Sequence, residues 1–168
     1  MSDESKRDAQ NWDQVEEATE LLNEQKWQDA LHALRDVIKA NPQNPYAYYF
    51  LGHALYELGQ LEPARDAYRA AVRVSPAYLG ARVALSQTLR MLGDFRGAIQ
   101  EGEAALRQAP DDGDALFALG MAHASRGDKE AARRYLSKFL DSRPEFEAAQ
   151  EARSILAGFD LRDEEDEN

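Results

Sequence analysis

Four prolines, Pro42, Pro76, Pro110 and Pro144, stand 34 residues apart, and four alanines, Ala30, Ala64, Ala98 and Ala132, keep the same step. The chain has only six prolines, so chance does not place four of them on one period. Gly59, Gly93 and Gly127 recur at that interval too, with Gln25 in the glycine's place in the first copy. A period of this length marks stacked supersecondary units, each too small to bury its own apolar face. The chain is thereby held to a repeat fold before any helix is assigned.

Helical spacing of apolar residues fills each period twice. The first copy predicts a helix from about Ser5 to Glu24, on Val15, Ala18, Leu21 and Leu22, and a second from about Trp27 to Ala40, which Asn41 and Pro42 end. The same grammar predicts Tyr46 to Leu58 with Leu61 to Val74, then Tyr78 to Leu92 with Phe95 to Ala109, then Asp114 to Arg126 with Lys129 to Asp141. Glycine closes the first helix of each later pair by tolerating a left-handed backbone. Pro63 falls in a first turn, where its missing N–H costs little, and Asp111 and Asp112 are placed as N-terminal caps. A last helix, about Phe146 to Ala157, has one apolar face (Ala149, Ala152, Ile155, Leu156), as a terminal cap requires, and Gly158 is expected to end it.

Repeat two carries a family pattern. Tyr48, Leu51-Gly52, Leu55, Ala64, Tyr68 and Pro76 resemble the tetratricopeptide repeat, Tyr48 standing at the family tryptophan and Leu55 at its tyrosine. Repeat four keeps Leu116, Leu119-Gly120, Ala132, Leu136 and Pro144; repeat three has Leu85-Ser86, Ala98 and Pro110 with Gly102 in place of the large aromatic; repeat one has Glu17-Ala18 where Leu-Gly would be. The resemblance implies an all-α, right-handed α-solenoid of four helix-turn-helix units plus a C-terminal capping helix. The organisation expected is a polar extension at 1–10, a single domain at 11–157 built of repeats 11–44, 45–78, 79–112 and 113–146 with a capping helix at about 146–157, and an acidic disordered tail at 158–168. The repeated alanines mark close helix crossings that Gly52 and Gly120 are expected to face, so Ala64→Leu should overpack by about 1–3 kcal/mol.

Composition narrows the function classes. The net charge of -11 sits at the ends, -6 over residues 1–24 and -5 over 160–168, while 25–159 is neutral. Acidic ends disfavour nucleic acid and anionic membrane surfaces as partners. No cysteine is present, and neither an apolar leader core nor a run of the ~20 apolar residues needed for a membrane span appears, so a soluble, cytoplasmic protein without membrane insertion is expected. His32, His53 and His123 occupy different phases of the repeat and share no metal-ligand spacing, and Gly-rich phosphate loops are absent. A non-catalytic protein with no cofactor or metal is expected, His123 being a satisfied core histidine.

In the tetratricopeptide family the first helices line a concave groove. Carried across position by position, that phase falls on Val15, Thr19, Leu22 and Asn23 in repeat one, on Tyr46, Tyr49, His53, Tyr56 and Glu57 in repeat two, on Val83, Gln87, Arg90 and Met91 in repeat three, and on Phe117, Met121 and Ser125 in repeat four. Tyr46, Tyr49, His53 and Tyr56 are spaced 3, 4 and 3, which sets all four on one helical face. Two readings of that stripe stand side by side. Aromatics at helical spacing pack as core; tyrosine also suits a half-exposed binding face, offering large area and a polar tip at low entropy cost. Leu51, Leu55 and Leu58 already form a separate stripe that reads as core, which favours the groove.

The lysine-rich clamp by which some relatives hold acidic chaperone tails is missing, its places being Val15, Thr19, Phe50, Gly80 and Ala84. The partner expected is a protein or peptide segment with apolar or aromatic side chains, with a base for Glu57 and an acid for Arg90. The contacts expected are Tyr46, Tyr49, His53, Tyr56, Glu57, Val83, Gln87, Arg90, Phe117 and Met121. Two further readings are a chaperone for secreted or aggregation-prone clients and a structural subunit that self-associates as a homo-oligomer. Arg65, Arg69 and Arg73, with Arg35, Lys39 and Arg107, read as a solvated basic face able to hold an acidic tail or partner.

Overall fold

The structure, a computed structural model, describes residues 2–166. They form α1 (Asp3–Asp13), α2 (Glu16–Asn23), α3 (Trp27–Ala40), α4 (Pro45–Glu57), α5 (Leu61–Val74), α6 (Leu79–Met91), α7 (Phe95–Gln108), α8 (Gly113–Arg126), α9 (Lys129–Asp141) and α10 (Phe146–Asp166), with no strand among the described residues. This is the all-α helical repeat fold of solenoid type that the 34-residue period demands. The chain divides into two compact units after Thr88. In the first, α2 packs on α3, α3 on α4 and α4 on α5; in the second, α7 packs on α8, α8 on α9 and α9 on α10.

The punctuation acts as its chemistry requires. Gly59, Gly93 and Gly127 take φ of 73°, 81° and 91°, and Gln25 adopts the same left-handed region at 57° without glycine's freedom. Each closes its helix with the same long-reach bond: Lys26 N–H donates to Leu21 C=O, Gln60 to Leu55, Asp94 to Leu89 and Asp128 to His123, at 2.8–3.0 Å. Asp112 is the N-cap of α8, its carboxylate accepting from Ala115 N–H. Ala30, Ala64, Ala98 and Ala132 are fully buried.

The structure changes three expectations and shows what meets Gly102. The single helix over Ser5 to Glu24 is two, because Val15 turns inward to full burial with φ -106° and ψ 1°, outside the helical region. The small residues do not chiefly meet the alanines: a Cβ on Gly52 would lie 2.7 Å from the Tyr68 ring, and one on Gly120 would lie 2.7 Å from Leu136 Cγ. The space left by Gly102, where a large residue was missing from the pattern, is taken by Leu119 from α8, 3.1 Å from a Cβ built there. Gly158 does not end the last helix. Phe159 is buried at 5%, Arg133 lies over its ring at 5.6 Å, and Arg133 also pairs with Asp160, so the chain continues helical to Asp166. Of the expected acidic tail, 167 and 168 lie outside the described residues.

Candidate functional site

The aromatic face of α4 is positioned by a buried asparagine. Asn44 precedes Pro45, the first residue of α4, and its side-chain oxygen accepts from Tyr46 N–H (3.0 Å) and Ala47 N–H (3.2 Å), satisfying two of the helix's free donors. Its amide nitrogen donates to Asn11 C=O (2.8 Å) and to Gln14 Oε1 (3.1 Å) at the end of α1. Asn41 adds donations to Asn11 Oδ1 (3.0 Å) and Gln14 Oε1 (2.8 Å). One residue thus starts α4 and anchors α1 beside it. An unpaired amide buried there would cost about 1–3 kcal/mol, which is why both ends of the side chain are engaged.

That anchor brings Trp12 onto the start of α4. Its ring stands edge-on to Tyr46 at 5.2 Å and to Phe50 at 5.9 Å. Tyr46 reaches Tyr78 at 5.4 Å; Tyr49 meets Tyr78 at 5.0 Å, Phe50 at 5.2 Å and Tyr68 at 5.8 Å. Six rings form one connected cluster, held at the separations aromatic quadrupoles prefer. Tyr68 is buried, while Tyr46, Tyr49, Phe50 and Tyr78 are half-buried and Trp12 is 49% exposed. Apart from Tyr68, these rings remain partly accessible.

Three of these phenols hold their protons more tightly than a free tyrosine. Burial, and then the hydrogen bond from Tyr46 Oη to Asp8 Oδ1 (2.7 Å), push the Tyr46 phenol up to about 12. Burial raises Tyr68 and Tyr78 further. Near neutral pH Tyr46, Tyr68 and Tyr78 therefore present π surfaces and protonated hydroxyls, with the Asp8 carboxylate beside Tyr46.

Not every expected contact joins this face. His53 is half-buried and turned to α3, its ring 6.0 Å from Trp27. Tyr56 and Gln87 are half-buried and Glu57 is exposed, but Val83 is buried at 7%. In the second unit Met121 is buried at 5% in a cluster with Leu116, Leu136, Phe139 and Ala152, and Phe117 packs its ring 4.9 Å from Phe139. The sequence placed Met121 on an open face because it does not show that Ala152 of α10 reaches the same cluster. Arg90 is half-buried, its Nε without an acceptor. The leucine stripe is also not the core expected: Leu55 is buried, whereas Leu51 and Leu58 are half-buried and Ala47, Gly52 and Ala54 complete the buried face of α4.

Trp12, Asp8, Asn44, Phe50 and Tyr78 escaped the sequence reading as site residues. The Asn-Pro pair at 44–45 was the one local signal, an N-cap followed by a first-turn proline. Elsewhere, His123 is buried, with Nδ1 3.0 Å from Asp128 Oδ2 and its ring stacked 5.6 Å from Tyr135. Among the described residues no cluster of histidines and carboxylates could hold a metal ion, and no helix is long and apolar enough to cross a membrane.

Residues 8–149 match the family described as the cytochrome c-type biogenesis protein H TPR domain. Anaphase-promoting complex subunit 7 of Arabidopsis thaliana is 34% identical over 89 residues, 52% of this chain but 16% of that protein's length. MamA from Desulfovibrio magneticus RS-1 superposes with a TM-score of 0.75 at 22% identity, covering 95% of this chain and 88% of MamA. YrrB, described as a TPR protein with an unusual peptide-binding site, gives 0.73 at 23% identity, covering 82% of this chain and 71% of YrrB. At these identities the two structures speak to fold.

Proposed function

This chain belongs to the family of cytochrome c-type biogenesis protein H TPR domains, and from that premise we propose that it is a non-catalytic adaptor that docks a partner protein's segment on the tyrosine face of α4. The observation that carries this reading is the ring cluster itself: Tyr46, Tyr49 and Phe50 touch other rings yet stay half-buried. Large, stiff aromatic side chains with accessible faces contribute most to binding hot spots. The peptide-binding site named for YrrB supports the same kind of use for this fold. The partner segment presents apolar or aromatic side chains, with a base opposite Glu57.

Among the expected contacts of the first unit, burial removes Val83 and leaves Tyr46, Tyr49, Tyr56, Glu57 and Gln87, with His53 at the margin. Affinity capture from the native host, comparing wild type with Tyr49→Ala/Tyr56→Ala, tests it. The double variant keeps its helical signal and loses its specific partner; a folded double variant that retains every partner rejects the reading. The cytoplasmic location belongs to the same proposal, and recovery from another compartment on cell fractionation removes it.

A further inference from the structure

A groove lies between α2 and α3, and its lining differs from the tyrosine face. It is an open groove of about 650 Å³ whose floor is Ala18, Leu21, Ala33 and Val37. Three exposed carboxylates, Glu17, Asp29 and Asp36, line it as well.

The repeat period shows what such a place receives. Three periods on, Glu17 and Ala18 correspond to Leu119 and Gly120, and Ala33 corresponds to Tyr135. There α7 packs on α8: Leu119 lies 3.1 Å from a Cβ built on Gly102 of α7, and Leu119 and Tyr135 share a cavity lining with Leu106. The surface of α2 and α3 is therefore a helix seat by construction. The segment nearest in sequence, α1, does not take it. It breaks at Gln14–Val15 and spends Trp12 on α4 instead.

Charge then selects the occupant. Where repeat four has Leu119, Ala131 and Lys138, repeat one has Glu17, Asp29 and Asp36. The helix that fits covers the alanine and leucine floor with small apolar residues and flanks them with lysine or arginine. A second copy's terminal helix does not fit, because Phe146–Asp166 is itself rich in acids. We infer that the groove between α2 and α3 seats a basic amphipathic helix of a partner protein, at a site separate from the tyrosine face.

The test uses the full chain and a synthetic helical peptide with an alanine and leucine face flanked by lysines, labelled for fluorescence anisotropy. A twin with glutamates for the lysines is the control. The lysine peptide binds and weakens as salt rises, the twin does not bind, and Glu17→Lys/Asp36→Lys lowers affinity about tenfold or more at unchanged circular dichroism. Ala33→Gln, which lays a polar chain across the floor without changing charge, weakens it too. Tyr49→Ala/Tyr56→Ala leaves binding intact, so failure of the docking face and failure of this groove read separately. Equal binding of both peptides, or indifference to the charge-reversal variant, overturns the inference. So does a dimer, seen by sedimentation, that the same charge reversal abolishes, since that assigns the groove to a second copy.

Discussion

Repeats two and four spend the same framework in opposite ways. Gly52 with Tyr68 and Gly120 with Leu136 are the same pair of positions, and in both a Cβ on the glycine would come within 2.7 Å of the large partner. In repeat four the pair sits in a closed apolar core, Leu136 fully buried beside Leu116, Met121 and Phe139, with Ala152 of α10 joining it. In repeat two the large partner is a ring, and it continues through Tyr49 into a cluster that stays half-open. Tyr68 and Leu136 are both buried, so what differs is the neighbours: α10 joins the cluster of repeat four, while the rings around Tyr68 stay partly accessible.

Truncation should separate the two regions most. Leu136→Ala removes a fully buried side chain from a filled cluster and should cost about 2–5 kcal/mol by urea denaturation. Leu51→Ala, on half-buried α4, should cost about 1 kcal/mol, in proportion to the smaller area it buries. Equal losses at Leu51 and at its repeat-four counterpart Leu119, which is fully buried, would mean that the two repeats are packed alike. Overpacking should come next: Gly52→Val and Gly120→Val each force atoms into space already held and should cost about 1–3 kcal/mol. Combining Gly52→Val with Tyr68→Ala should recover part of the loss, which would confirm that the ring is what the glycine accommodates.

The smallest effect is one of pH. The unfolded phenol releases its proton near pH 10, while folded Tyr46 holds it up to about 12. Its contribution is complete below about pH 10 and is lost as pH rises from there to about 12, the unfolded chain binding fewer protons. The side chain is half-exposed, so screening reduces the effect to about 1 kcal/mol or less. Denaturation at pH 8 and above pH 11 should show Tyr46→Phe with a shallower alkaline loss than wild type. Repeat four answers to acid instead. The Asp128 carboxylate is held below its usual range by Arg126 first and His123 second, so its contribution is present above the ordinary carboxylate value and fades as pH falls through the folded one.

Much of the fold was legible because repetition is a one-dimensional signal. The left-handed Gln25 could be anticipated because glycines hold its place in the other copies, and the N-cap at Asp112 because a short acid precedes a helical run. The proposed docking face was legible only in phase. Helical spacing put Tyr46, Tyr49, His53 and Tyr56 on one side of α4, but it could not say that His53 turns to Trp27 or that Trp12 joins the tyrosines.

By itself the sequence determined the number of helix pairs, their turns and the small residues that let them cross, since these follow from spacing along a single chain. Tertiary structure alone decided which parts of the expected groove are open. Met121 and Tyr49 occupy the same face of their helices in sequence, yet Met121 is covered and Tyr49 is half-exposed. Exposure belongs to the neighbours a side chain meets, and those come from helices far along the chain. The same holds for the acid-rimmed groove, which α1 leaves uncovered by turning away at Val15.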